Sequence, residues 1–131
     1  MNKLTTRVRH LLALVGWCML LFIAFATLGP IATRPHLAMA GVDLERFLAF
    51  FCLAGTLGLA YPRQRIWILL LVCALAIGLE LGQLLEADRH GRPWDALVKV
   101  LGVLFGMASA MIVEDMARWM RETRARRATR T

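Results

Sequence analysis

The chain has 131 residues, of which 59% are hydrophobic. Ordinary soluble domains are only about 45–50% apolar even when Gly is counted, so this composition excludes a typical soluble domain and indicates an integral membrane protein. The formal net charge is +7. This charge does not predict nucleic-acid binding, because the basic residues cluster beside the apolar runs. We therefore expect membrane lipid, and not nucleic acid, as a partner.

Four apolar runs each approach the ~20 residues that a helix needs to cross a hydrocarbon core of ~30 Å. They cover residues 11–28, 42–61, 66–85 and 96–113, and a basic tail, residues 114–131, follows the last run. No soluble module or internal repeat is detectable. The sequence predicts an all-α, four-helix membrane bundle that forms one domain over residues 1–131.

The basic residues are divided unequally between the two sides of this predicted bundle. One side receives the residues before the first run, those between the second and third runs, and six arginines after the fourth run. The other side receives fewer: Arg34, Arg46, Arg89, Arg92 and Lys99. Because cytoplasmic segments carry an excess of Lys and Arg, we expect both termini to be cytoplasmic and the two longer loops to be external.

The first run raises the question of a cleaved signal peptide, because Ala38, Met39 and Ala40 match the small-residue pattern of a cleavage site. Signal peptides have apolar cores of about 7–15 residues, and cleavage normally follows closely. Here the core, residues 11–28, is longer and ends well before the pattern. We therefore expect the first helix to remain as an uncleaved anchor.

The cysteines do not indicate a metal or a cofactor. Cys18, Cys52 and Cys73 all lie within apolar runs. Their spacing matches neither a disulfide framework nor a zinc site. We interpret them as small packing residues and predict no metal and no cofactor.

A carboxylate lies inside the third apolar run. Glu80 precedes Gln83 by three residues, and a charge in a bilayer-length segment costs about 2.5–3.5 kcal/mol, so it usually has a partner or a function. In an antiparallel hairpin centred near residue 89 or 90, Lys99 comes level with Glu80, and we predict that they form an ion pair. Gln83 comes level with Asp95 or Ala96. The simpler interpretation of Asp95 is an N-cap of the fourth helix.

Two pairs of glycines predict close helix packing. Gly102 and Gly106 lie on the Lys99 face of the fourth helix, and such small residues let membrane helices approach closely, so we expect them to bring the third and fourth helices together. Gly78 and Gly82 lie on the side of the third helix opposite Glu80. They are expected to contact another helix or a second copy in a homo-oligomer.

Several short motifs follow one another at characteristic spacing between about residue 42 and residue 106. They are Arg46-Phe47 with Phe50 and Phe51, Tyr61-Pro62, Glu80-x-x-Gln83, Arg89, Asp95 and Gly102-x-x-x-Gly106. In these motifs the chain resembles the VanZ-like family of small bacterial membrane proteins, whose founding member is associated with teicoplanin resistance. Two positions depart from the family pattern: Arg46 stands where His is common, and Lys99 stands where Asn is common. A His-dependent role therefore does not carry over.

The resemblance implies a multi-pass protein of the bacterial cytoplasmic (inner) membrane that acts at the cell envelope, with teicoplanin tolerance as the associated phenotype. Guanidinium groups bind phosphate bidentately, so the residues themselves indicate an external site for an anionic envelope lipid or a cell-wall precursor; a glycopeptide is a further candidate partner. We call the predicted ligand-binding residues the polar cluster: Arg46, Glu80, Gln83, Arg89, Arg92, Asp95 and Lys99.

Three other interpretations remain open. The polar cluster could be purely structural, through interhelical hydrogen bonds worth ~0.6 kcal/mol each. The protein could be an intramembrane enzyme with Glu80 as general base, although no nucleophile stands out, since Ser109 lies deep and His90 is a lone loop residue. It could be a transporter or proton path, but one charged layer provides no visible route across. The residues favour a protein that is not an enzyme.

Overall fold

The computed structural model describes Lys3–Leu28, residues 41–84 and Pro93–Ala128. These ranges contain four α-helices and no strand, so the predicted all-α fold is confirmed. Arg89, Arg92, His90 and the Ala38–Ala40 pattern lie outside the described residues. The helices are α1 (Lys3–Leu28), α2 (Val42–Ala60), α3 (Arg65–Leu84) and α4 (Pro93–Ala128).

Two helices are longer than the apolar runs suggested. α1 begins at Lys3, and α4 continues to Ala128. The segment after Val113 is rich in Met, Ala, Glu and Arg and has no Gly or Pro, so helix propensity extends α4 beyond its apolar part. α4 begins at Pro93, a favourable residue for the first helical position. Asp95 consequently lies within the first turn, and its predicted role as N-cap is wrong.

Three helices are long and apolar enough to cross a membrane within the described residues: α1, α3 and α4. α2 has 19 residues and carries Asp43 and Glu45 in its first turn, with Arg46 next to them, and it is not among the three. The charged residues at the start of α2 therefore distinguish this helix from the three apolar candidate spans. A crossing by α2 stays a prediction, and the membrane character of the chain rests on the other three helices.

α2 nevertheless forms the centre of the packing, because the two most extensive helix–helix contacts in the described structure are those of α2 with α4 and of α2 with α1. Its Leu53, Ala54 and Leu57 are completely buried. Val72 of α3 and Val103 of α4 are also completely buried and belong to the same apolar core. α2 thus has a charged first turn, and residues later in the helix are buried in the apolar core.

α2 and α4 run parallel, and small residues let them touch. Arg46 pairs with Asp95 near the two helix starts, and a Cβ added to Gly102 would lie 2.5 Å from the carbonyl oxygen of Phe47. A Cβ added to Gly106 would lie even closer to the carbonyl oxygen of Phe51. The predicted glycine ridge therefore brings α4 against α2. The expected contact with α3 is wrong, because long charged side chains bridge α3 and α4 instead.

The second glycine ridge meets open space at Gly78 as far as the described residues extend. No described atom lies within 4 Å of a Cβ added at Gly78, so this glycine does not pack against another helix of the described chain. Gly82 lies one turn later and is partly exposed. The predicted contact with a second copy stays a prediction.

The contacts give the bundle two distinct ends. α1 runs antiparallel to α2, since Gly16 packs on Leu57, whereas Arg9, two turns earlier in α1, lines a cavity with Arg63, which follows α2. The Trp17 indole N–H also donates to the Tyr61 hydroxyl at 3.1 Å. The end where α2 and α4 begin and α3 finishes is called the Glu80 end. The opposite end, where α2 finishes and α3 begins, is called the Glu114 end.

Candidate functional site

A buried ion pair lies at the Glu80 end. Lys99 Nζ donates to Glu80 Oε2 at 2.5 Å. The two residues are only 3% and 6% exposed, respectively. At ~1.5 Å rise per residue, they lie roughly 6–9 Å from the ends of their helices. This is the ion pair that the sequence predicts, and it joins α3 to α4.

A second ion pair lies nearer the starts of α2 and α4. Arg46 Nη1 is 2.5 Å from Asp95 Oδ2 and 3.7 Å from Asp43 Oδ1. Trp94 Nε1 also donates to Asp43 Oδ2, at 3.3 Å. The Arg46 side chain is 28% exposed, whereas that of Asp95 is 11% exposed. The Arg46 guanidinium is therefore the more accessible partner of this pair.

The structure brings four members of the predicted polar cluster to one end of the bundle. Arg46, Glu80, Asp95 and Lys99 meet there as two ion pairs. Gln83 belongs to α3, but its side chain lies outside the described part of the structure, as do Arg89 and Arg92. Whether the cluster binds a ligand stays a prediction.

Ser109, the described residue that was considered as a nucleophile, does not lie beside Glu80, since it is ten residues beyond Lys99 on α4. The Ser109 hydroxyl donates to the Phe105 carbonyl oxygen of its own helix at 2.8 Å. In the described ranges, no group of three or more His, Cys, Asp or Glu side chains is placed to hold a metal ion. The chemistry visible around Glu80 is therefore that of a charge-compensated pair.

A cluster that the sequence interpretation missed lies at the Glu114 end. Glu114 Oε1 accepts a hydrogen bond from Arg9 Nη2 and another from Arg118 Nη2, each at 3.2 Å. Glu114 Oε2 accepts a hydrogen bond from Arg65 Nη2. The Glu114 side chain is 15% exposed and ties α1, α3 and α4 together. One sequence signal was visible: an acid immediately after an apolar run, four residues before Arg118.

The position of Glu114 along α4 places this cluster far from the Glu80 end. Glu114 lies 21 residues after Pro93. At ~1.5 Å per residue this corresponds to roughly 30 Å, which is about the thickness of a hydrocarbon core. Glu114 is thus about one core thickness from the start of α4, and roughly 22 and 28 Å along the helix from Lys99 and Asp95 of the other cluster.

Two adjoining cavities open beside Glu114. Their volumes are about 320 and 350 Å³, at the lower end of the range for ligand pockets. Both are lined by Arg9, Glu114, Ala117 and Arg121. The first is otherwise mainly basic and the second apolar. The additional lining residues are Pro62, Arg63 and Arg118 in the first cavity, and Val8, Leu12, Leu59 and Val113 in the second.

Comparison with known proteins adds no relative to these observations. No family model, no curated protein and no solved structure matches the chain. The function is therefore inferred from the two charged clusters and from the membrane character of α1, α3 and α4.

Proposed function

We propose that this chain is a VanZ-like, multi-pass protein of the bacterial inner membrane whose Glu80 end binds the anionic headgroup of an envelope lipid or a cell-wall precursor. Both termini lie in the cytoplasm in this proposal, and the Glu80 end faces outward. The observation that carries the proposal is the buried Glu80–Lys99 pair beside the accessible guanidinium of Arg46.

The energetic argument starts from the cost of burying charge. Moving two charges out of water costs several kcal/mol per ion, and replacing a buried pair by apolar residues of similar volume is often neutral or stabilising. Glu80 and Lys99 are both almost completely buried. Apolar residues would hold α3 and α4 together at lower cost, so the presence of the pair supports a function beyond packing.

Arg46 is the described residue best suited to contact a headgroup at this end. Its guanidinium is partly exposed and already holds one carboxylate oxygen of Asp95. Guanidinium groups bind phosphate in a bidentate geometry with charge-assisted hydrogen bonds. A phosphate would therefore compete with Asp95 for Arg46. Arg89 and Arg92, in the loop between α3 and α4, would supply further donors.

The proposal is tested by removing the loop arginines and leaving both ion pairs intact. Arg89→Ala with Arg92→Ala should keep the thermal midpoint within a few degrees and reduce the anionic lipid or precursor that co-purifies, measured by mass spectrometry. The matched control is Arg124→Ala with Arg127→Ala, which removes the same charge from exposed positions of α4. Equal retention in both double variants would reject a ligand site at the Glu80 end.

The envelope phenotype supplies a second readout of the same variants. If the family resemblance extends to function, expression of the wild-type chain in a susceptible host lowers the effect of teicoplanin. The Arg89/Arg92 variant should lose this protection, and the Arg124/Arg127 variant should keep it. Identical susceptibility with and without the wild-type chain would remove glycopeptide tolerance from the proposal while leaving lipid binding to be judged by co-purification.

A structural role for the polar cluster is the second candidate. It is favoured by one observation: both described cations at the Glu80 end, Arg46 and Lys99, already have carboxylate partners. In that case the ion pairs serve only to fix the relative positions of α2, α3 and α4 in the bundle. Unchanged lipid retention in the stable loop variant, combined with loss of folding when a pair is broken, would establish this role.

A further inference from the structure

We infer that the Glu114 end holds one anionic phospholipid, with its phosphate on the arginines of the first cavity and an acyl chain in the apolar second cavity. This site lies at the opposite end of the bundle from the ligand site proposed at the Glu80 end. It is independent of that proposal, and either site can exist without the other.

The first argument is the balance of charge in the first cavity. Four described arginines line it, and Glu114 is the one carboxylate among its described lining residues. Glu114 is already engaged by Arg9, Arg118 and the neighbouring Arg65. Arg63 and Arg121 form no ion pair with any described carboxylate. The cavity therefore has guanidinium donors in excess of its acceptors, which suits a phosphate group.

Arg65 adds a further donor next to the cavity, where it contacts Glu114. Its Nη2 donates to Glu114, whereas its Nε is buried and has no hydrogen-bond partner among the described residues. Buried donors are normally satisfied. Guanidinium N–H donors therefore exceed the available acceptors both on the cavity surface and at Arg65, between the helices beside it.

The second argument is the apolar cavity that adjoins the basic one. The two cavities share Arg9 and Arg121. Beyond these arginines, the second cavity is lined by Leu12 of α1, Leu59 of α2 and Val113 of α4. A free phosphate ion would leave this apolar surface uncovered, but a phospholipid covers both parts at once. The contiguity of a cationic and an apolar cavity is what selects a lipid as the occupant.

The third argument is depth. Glu114 lies roughly 30 Å along α4 from Pro93, at the level where one membrane surface is expected if the Glu80 end lies near the other. Headgroups occupy this level, and basic pockets between membrane helices are known to bind anionic headgroups there. The basic cavity thus lies at headgroup level, and the apolar one reaches toward the acyl region between α1 and α4.

The test measures lipid binding in nanodiscs by native mass spectrometry and thermal stability. Wild type should melt higher in phosphatidylglycerol than in phosphatidylcholine. Arg63→Gln with Arg121→Gln should weaken phosphatidylglycerol retention at least about tenfold, as expected for two lost arginine contacts. The matched control, Arg124→Gln with Arg127→Gln, removes the same charge outside the cavity and should retain the lipid. If both double variants retain phosphatidylglycerol equally weakly, the lipid is attracted diffusely by the basic charge, and the proposal of a specific site is wrong.

The apolar half is tested without changing charge. Leu12→Trp should fill the second cavity and reduce phosphatidylglycerol retention, whereas Leu11→Trp, at a position 62% exposed, should not. Melting in phosphatidylcholine verifies that each variant is folded. Unchanged retention in Leu12→Trp would overturn the placement of the acyl chain. If inorganic phosphate stabilises the protein as much as phosphatidylglycerol does, the site binds a free anion and the lipid assignment is wrong.

Discussion

Asp95 and Lys99 lie one turn apart on α4, and each pairs with an opposite charge on a different helix. Asp95 holds Arg46 of α2, and Lys99 holds Glu80 of α3. Residues at this spacing share a helix face. One face of α4 therefore fixes the positions of two other helices through an acid and a base, which disfavours exchange of α2 and α3 because like charges would then meet.

The Glu80–Lys99 pair should show strong coupling. Glu80→Gln or Lys99→Asn alone leaves a buried charge without its partner, at a cost of about 3–5 kcal/mol. The double variant should cost clearly less than the sum of the two single variants. The measurement is a double-mutant cycle on unfolding in detergent or bicelles. Additive losses would mean that the two side chains do not interact.

The two glycine ridges should respond oppositely to alanine. Gly106→Ala introduces a Cβ against the Phe51 carbonyl, where only a backbone shift can make room, and should lower stability by about 1–3 kcal/mol. Gly78→Ala meets open space and should be neutral or stabilising by up to ~1 kcal/mol through helix propensity. Thermal midpoints of both variants provide the measurement. A loss at Gly78 equal to that at Gly106 would reveal packing of Gly78 on another copy.

Glu114 should be the key acceptor at its end of the bundle. Glu114→Gln removes the charge that three arginines share, and we expect a loss of about 2 kcal/mol, because hydrogen bonds to charged groups contribute ~1.5–3 kcal/mol. Glu122→Gln is the control, since Glu122 is exposed on the same helix and should change stability little. Chemical unfolding compares the two variants. Equal losses would show that only net charge matters.

The two ends should lie on opposite sides of the membrane. Single cysteines at Gly41, at the start of α2, and at Gln64, just before α3, mark the two ends in a variant whose native cysteines are removed. An impermeant thiol reagent added to intact cells should label the first and not the second. Both are exposed, so access to the side chain does not limit labelling. The reverse pattern would invert the proposed topology.

Local features of the sequence account for the helices and for one of the two ion pairs at the Glu80 end. Glu80 and Lys99 are 19 residues apart in helices joined by one short loop, so equal distance from that loop sets them at equal depth. The pairing was therefore predictable. The nearly complete burial of the two side chains and the distance between their charged atoms were not predictable, because both depend on how α2 packs against the hairpin of α3 and α4.

Contacts between helices distant in sequence account for the errors in assigning interaction partners. Glu114 was assigned to a basic tail, because its partners Arg9 and Arg65 are 105 and 49 residues away. The partner of Gly102 was misassigned for the same reason: α2 and α4 are not adjacent in sequence, and only the packed structure shows that they run in parallel contact. Periodicity identifies the face of a helix but not the helix that covers it.

The continuity of α4 links the two charged clusters mechanically. Lys99 and Glu114 belong to one unbroken helix, roughly 22 Å apart at ~1.5 Å per residue. A tilt of α4 that moves Lys99 relative to Glu80 also moves Glu114 relative to the arginines of α1 and α3. If ligands at the two ends prefer different tilts, each changes the affinity of the other by the same factor, as linkage requires. In that case the continuous α4 helix couples ligand binding at one membrane surface to ligand binding at the other.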